Sequence, residues 1–227
     1  MAVTATGVAR RVLDAAVDLF AEQGFDATSV QEVVERAQVT KGAMYHYFRS
    51  KDDLLYAIYH ELITVQLAGL ERIEAVDGPA PQTLRAIIVD LVVTTVARLG
   101  AATVSARELH KLAGERMATL RAQRRRYHEG VRELIERGQR DGEFAGTVSA
   151  QTATLMVFGI VNQLPQWYRP DGATSPRELA DEIAGFVLAG LGAGPGLGSG
   201  AGRAQDPGAG SGVRATETMD EERHADR

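Results

Sequence analysis

Apolar side chains return at helical spacing along most of the chain: Val8, Val12, Ala16, Leu19 and Phe20, then Leu54, Leu55, Ile58, Leu62 and Val65. The same period runs through Leu84, Ile87, Ile88 and Leu91, through Leu120, Tyr127, Val131, Leu134 and Ile135, through Leu155, Phe158, Val161 and Leu164, and through Leu179, Ile183, Phe186 and Val187. No segment sustains the alternation of a half-buried strand. Breaks fall at Gly24, at Asp77-Gly78-Pro79 with Pro81, at Gly142, at Pro165, at Pro170-Asp171-Gly172 and at Pro176. The pattern predicts an all-α protein of about nine helices.

Composition changes after Leu191, where glycine alternates with small residues and almost nothing apolar remains to offset the entropy of ordering. Residues 193–227 are expected to be a disordered extension. Gly196-Leu197-Gly198-Ser199-Gly200-Ala201 matches a dinucleotide-binding glycine pattern, but it follows a helix and has no strand before it, so that reading is rejected. The 227 residues contain no cysteine, which excludes disulfides, thiolate metal sites and a thiol nucleophile. No H-E-x-x-H, G-x-S-x-G or Walker loop is present, and the neighbours Asp52 and Asp53 point to different helix faces. An enzyme is not expected, nor a cofactor or metal. No leader pattern or uninterrupted apolar run of bilayer length occurs, so the expected location is the cytoplasm. A net charge of −5 means that any affinity for a polyanion must be local.

That local feature lies within residues 28–51. Thr28 is placed to cap a short helix from Ser29 to Arg36, with Gln31 at the reciprocal position, and a second short helix begins near Val39 or Thr40. Ala37-Gln38-Val39 leaves room for a tight turn only, while Val30, Val33, Val34, Met44 and Phe48 supply an apolar seam. This is the pattern of a helix-turn-helix. The second helix carries Thr40, Lys41, Gly42, Tyr45, His46 and Tyr47 outside the seam, side chains suited to phosphates and base edges. Arg36, Lys41, Arg49 and Lys51 accumulate here with no carboxylate between them, whereas residues 1–35 hold six acids against two arginines. Ser50 caps the next helix, with Asp53 at its third position, and Lys51 in its first turn is placed to meet a phosphate.

From Val12 to Tyr59 the spacing of Ala15-Ala16, Leu19-Phe20, Gly24-Phe25, Thr28-Ser29-Val30, then Val39, Lys41-Gly42, Met44-Tyr45, Tyr47-Phe48, Ser50-Lys51 and Leu54-Leu55 closely resembles the amino-terminal domain of the TetR family of transcriptional regulators. The resemblance implies a helix-turn-helix DNA-binding domain over residues 1–50 and a larger ligand-binding and dimerisation domain over 51–192. It further implies a homodimeric repressor that leaves a palindromic operator when a small-molecule effector binds. By position, Thr40, Lys41 and Gly42 begin the recognition helix, Tyr45 and Tyr47 contact phosphates or bases, and Lys51 meets the backbone. His46 reaches either a base edge or a phosphate, and Thr28 and Ser29 lie where the family's second helix touches phosphate, although capping alone accounts for them.

The second half is less explicit. Residues 107–140 hold ten Lys or Arg against five Glu, either a solvated face with pairs such as Glu133–Arg137 or the rim of a site for an anionic ligand. Guanidinium groups around apolar walls suit an acyl-coenzyme A thioester. Stretches 107–111 and 162–172 look similar to family members that sense such compounds, which makes Arg107, His110, Arg124, Tyr127, Asn162, Trp167 and Arg169 the candidate effector residues. Trp167 and Tyr168 either close a pocket mouth or anchor the core. The last two helices mix Ala153, Gly159, Ala184 and Gly185 with Met156, Ile160 and Phe186, a face that either pairs across a two-fold axis or completes the internal core.

Overall fold

The computed structural model describes residues 7–193; the glycine-rich extension beyond Ala193 lies outside the described residues. Among those described, all regular structure is helical: α1 (Gly7–Gln23), α2 (Val30–Arg36), α3 (Lys41–Tyr47), α4 (Lys51–Glu74), α5 (Ala80–Ala97), α6 (Leu99–Glu108), a 3₁₀ turn (Leu109–Lys111), α7 (Gly114–Arg140), α8 (Ala150–Asn162), the single turn α9 (Leu164–Trp167) and α10 (Pro176–Gly190). The expected all-α architecture is thus nine longer helices with two single turns, α9 and the 3₁₀ turn, among the described residues.

The helix starts follow from short polar caps. Ser50, Ser149 and Ser175 each accept the N–H of the third residue of α4, α8 and α10, satisfying a donor that has no partner within the helix. For α2 the cap is Ser29 with Glu32 as reciprocal acceptor, one residue later than the expected Thr28 and Gln31. Thr28 is instead buried, its hydroxyl donating to the Gly24 carbonyl at 2.8 Å and closing the turn after α1.

One break carries no Gly or Pro signal. At Arg98 the backbone leaves helical geometry (φ −123°, ψ 38°), so one apolar run becomes α5 and α6. The break expected at Pro165 falls slightly earlier: α8 ends at Asn162, and Pro165 stands in the first turn of α9, where its missing N–H costs nothing. Beyond it Tyr168 is buried and Trp167 is 47% exposed, so the two aromatics divide the alternatives between them.

α5 lies at the centre, packed by α4, α7 and α10. By length and mean hydropathy it would suffice to cross a bilayer, but Leu84, Ile87, Ile88, Leu91 and Val92 bury it in the core. The amino-terminal helices share the seam of Val12, Phe20, Val33 and Met44. Leu54, Leu55 and Ile58 of α4 join the same core, continuing it from the first helices into the body.

Candidate nucleic-acid interface and effector cavity

The helix pair α2–α3 is held by a turn in which Val39 donates to the Val34 carbonyl at 3.0 Å and Gln38 takes the left-handed conformation, φ 54°. Thr40 caps α3, accepting the Ala43 N–H at 3.1 Å. Met44 is fully buried, which orients the short helix and turns its opposite face outward. On that face Lys41, Gly42, Tyr45, His46 and Tyr47 are exposed, the two tyrosines by 48% and 38%. His46 and Tyr47 meet edge to face at 4.9 Å. Among the described residues none of these side chains has a hydrogen-bond or ion-pair partner, and an added Cβ on Gly42 would meet only Thr40 Oγ1, at 3.9 Å. Exposed tyrosines without partners are apolar surface left uncovered, beside a cation with no ion-pair partner among the described residues. Arg49, beyond the end of α3, is also exposed and has no ion pair among the described residues; its place in the basic window was the sequence signal for it.

Two residues expected at phosphates, Thr28 and Lys51, are placed differently. Thr28 is buried and cannot reach a ligand. Ser29 is exposed; its hydroxyl oxygen accepts the Glu32 N–H at 3.2 Å, which leaves the O–H proton able to donate. Lys51 turns back into the protein: Nζ donates to the carbonyls of Phe25 at 2.5 Å and Thr28 at 2.8 Å and lies 4.3 Å from the centre of the Phe25 ring. Three carbonyls of the α1–α2 turn, those of Phe25, Asp26 and Thr28, face it, and an ammonium is the group that satisfies several at once.

In the body a cavity of about 300 Å³ is lined by Tyr59 and Gln66 of α4, Thr95 of α5, Ser105 of α6, Arg124 of α7 and Asn162 of α8, with apolar wall from Leu62, Leu109 and Val161. Gln66 donates to Thr95 at 3.3 Å. Burial pushes the Tyr59 hydroxyl pKa up, against the opposing effect of Arg124. Of the candidate effector residues, Arg124 and Asn162 are brought to this cavity and five are not. Arg107 faces α1, donating to the Ala21 carbonyl at 3.4 Å, because the cavity takes the other side of α6. His110 is exposed in the 3₁₀ turn, and Trp167 is exposed outside the lining. Arg169 is bonded to the Tyr168 carbonyl at 3.2 Å. Tyr127 is a core residue, 2% exposed with its ring edge-on to Phe158, and burial drives its hydroxyl pKa up. Tyr59, Gln66, Thr95 and Ser105 were missed, since each is a single polar residue within an apolar helix pattern.

A second hollow of about 310 Å³ runs beside α1, and its rim is occupied by Arg10 paired with Asp14 at 2.5 Å and Glu61 at 2.7 Å. On the far side of the body, Leu155, Met156 and Phe186 are 55%, 58% and 74% exposed on α8 and α10. Gly159 and Gly185 face open space there. Between the two helices is an apolar groove of about 140 Å³, lined by Met156, Ile160, Phe186 and Val187.

Residues 12–58 match the family model described as bacterial regulatory proteins, tetR family, and residues 77–191 match the tetracyclin repressor-like C-terminal domain. The HTH-type transcriptional repressor KstR2 of Rhodococcus jostii (strain RHA1) is 27% identical over 187 residues, 82% of this chain and 92% of its own. The crystal structure of a bacterial regulatory protein in the tetR family from Rhodococcus RHA1 superposes with a TM-score of 0.75 at 27% identity, over 84% of this chain and 100% of that one. AibR, crystallised in complex with isovaleryl coenzyme A and operator DNA, shares the fold at 24% identity, with a TM-score of 0.70 over 80% of this chain and 97% of its own. An exposed third helix on a helix-turn-helix, joined to a matching helical body, makes this chain a member of the TetR family of DNA-binding transcriptional regulators.

Proposed function

We propose that the protein is a homodimeric cytoplasmic repressor that reads a palindromic operator with α3 and is released when an acyl-coenzyme A thioester occupies the cavity between α4 and α8. The observation that carries this reading is the outer face of α3: Lys41, Tyr45 and Tyr47 present one cation and two aromatic hydroxyls to solvent with no partner among the described residues. Lys41 and the exposed Arg49 take phosphates, while Tyr45, His46 and Tyr47 reach phosphates or base edges.

Two reading heads must meet groove repeats about 34 Å apart or a multiple of it. The exposed apolar face of α8 and α10 supports a two-fold interface, since Leu155, Met156 and Phe186 flank glycines that permit close helix approach. Effector release then requires the ligand to favour a dimer whose heads are wrongly spaced, because equal affinity for both states shifts nothing.

The effector chemistry rests on Arg124, which supplies the cation in the cavity lining. Arg121 and Arg125 are exposed nearby on α7 and have no ion-pair partner among the described residues, whereas Arg116, Arg126 and Arg132 are paired with Asp53, Glu71 and Glu136. An acyl chain inside the cavity with phosphates among these arginines matches that distribution. AibR was crystallised with isovaleryl coenzyme A, a ligand of this chemistry. A second reading is a free carboxylic acid held by Arg124, favoured by the single cation in a lining of neutral polar groups.

Thermal shift with isovaleryl coenzyme A and with the corresponding free acids separates the two, since saturation at 100 times the dissociation constant adds about 2.7 kcal/mol. Sequence-specific retardation of DNA flanking the gene, lost in Lys41→Ala and Tyr45→Ala, tests the operator reading. Retardation that is non-specific and indifferent to both substitutions would overturn it in favour of a ligand carrier.

A further inference from the structure

α6 has two working faces. Ala102, Ser105, Ala106 and Leu109, spaced i, i+3, i+4 and i+7, line the effector cavity. The opposite side follows α1 along its length. Gly100 comes so close that an added Cβ would stand 2.8 Å from Val17 Cγ1. Arg107 reaches the Ala21 carbonyl, and Glu108 accepts the backbone N–H of Phe25 at 3.3 Å. In the following 3₁₀ turn Lys111 pairs with Glu108 at 3.4 Å and with Asp26. The turn between α1 and α2 is therefore held from both sides: Lys51 takes its carbonyls, and Glu108 with Lys111 takes the Phe25 amide and the Asp26 carboxylate.

We propose that Glu108 and Lys111 are positioning residues for operator binding, a clasp through which α6 delivers displacement from the cavity to the α2–α3 reading head. The proposal rests on the reading that the cavity admits an effector. Glu108 is 11% exposed at its side chain, so its bonds to Phe25 and Lys111 are charge-assisted and shielded from water. Leaving that carboxylate without partners is costlier than moving the turn with it. The turn is one stride from α2: Thr28 is buried against Gly24, and Ser29 caps the helix. Movement of α6 thus reaches α2 through a short chain of paired groups. The competing route is α4, which runs from the reading head directly to the cavity through Tyr59 and Gln66.

The two routes are separated without knowing the effector. Ala106→Trp places a fixed occupant in the cavity, Lys111→Met opens the clasp while leaving α4 unaltered, and the double variant combines them. Each protein is titrated by fluorescence anisotropy against a duplex selected by the wild type from a randomised pool. The clasp predicts that Ala106→Trp weakens operator binding about tenfold on the native background and less than about threefold with Lys111→Met, a coupling within the usual allosteric range. Lys111→Arg restores the tenfold effect, and hydrogen exchange across residues 24–30 rises with Ala106→Trp only when the clasp is intact. Asp26→Asn, at an exposed carboxylate, replaces Lys111→Met if the latter does not fold. Equal weakening on both backgrounds overturns the clasp and assigns transmission to α4. No weakening by Ala106→Trp on the native background overturns the effector reading of the cavity, and the clasp with it.

Discussion

The amine of Lys51 sits 4.3 Å from the centre of the Phe25 ring while donating to the Phe25 carbonyl at 2.5 Å, so a residue placed for phosphate by its position is spent on shaping the turn before α2. Lys41 on α3 has no partner among the described residues. The two lysines are thereby assigned different jobs that ordinary affinity loss would not distinguish.

Salt dependence distinguishes them. Lys41→Ala should weaken operator binding and reduce the slope of log K against log salt by about one, because one phosphate contact is lost. Lys51→Met should lower affinity through the misplaced turn and leave that slope unchanged. A slope reduced by Lys51→Met would return this residue to the DNA backbone.

Gln38 occupies the left-handed region in the turn of the helix-turn-helix, where a side chain is strained and glycine is not. Gln38→Gly should raise stability by about 0.5–1 kcal/mol, the usual relief at such a position less the added freedom of the unfolded chain. Urea denaturation measures it, and a loss of stability would show that the Gln38 side chain makes up for its backbone.

The dimer proposal is tested at Phe186, 74% exposed on α10. Phe186→Glu should leave the thermal transition of the monomer core nearly intact, move the sedimentation coefficient to that of a monomer, and abolish tight operator binding at the same protein concentration. A variant that still sediments as a dimer places the interface elsewhere.

Glu32 gives a pH dependence whose sign is fixed. Its carboxylate accepts the Ser29 N–H at 2.7 Å and a bond from Gln23 at 3.1 Å, which holds its pKa down at about 2 from the ordinary 4.5. A folded-state value below the unfolded one contributes stability above pH 4.5 and loses it as pH falls toward 2. The difference in urea midpoint between wild type and Glu32→Gln should be constant from pH 7 to about 5 and narrow below it. A difference that widened in acid would contradict the capping box.

The periodicity of apolar residues was sufficient to fix the helical class, because burial of one helix stripe is a local property of the sequence. The helix-turn-helix was legible for the same reason: Val33, Val34 and Met44 form its seam within a dozen residues, and Thr40 caps α3 next door. Even there the cap of α2 moved by one position, since Thr28 and Ser29 carry equivalent hydroxyls and only the buried turn selects between them. The cavity was not legible. Arg107 and Ser105 stand two places apart on α6, yet one faces α1 and the other the cavity, a choice made by which neighbours close on that helix. Lys51 shows the same division: its charge and place in the first turn of α4 are written in the chain, but the three carbonyls that claim it exist only once α1 and α2 have folded around Phe25.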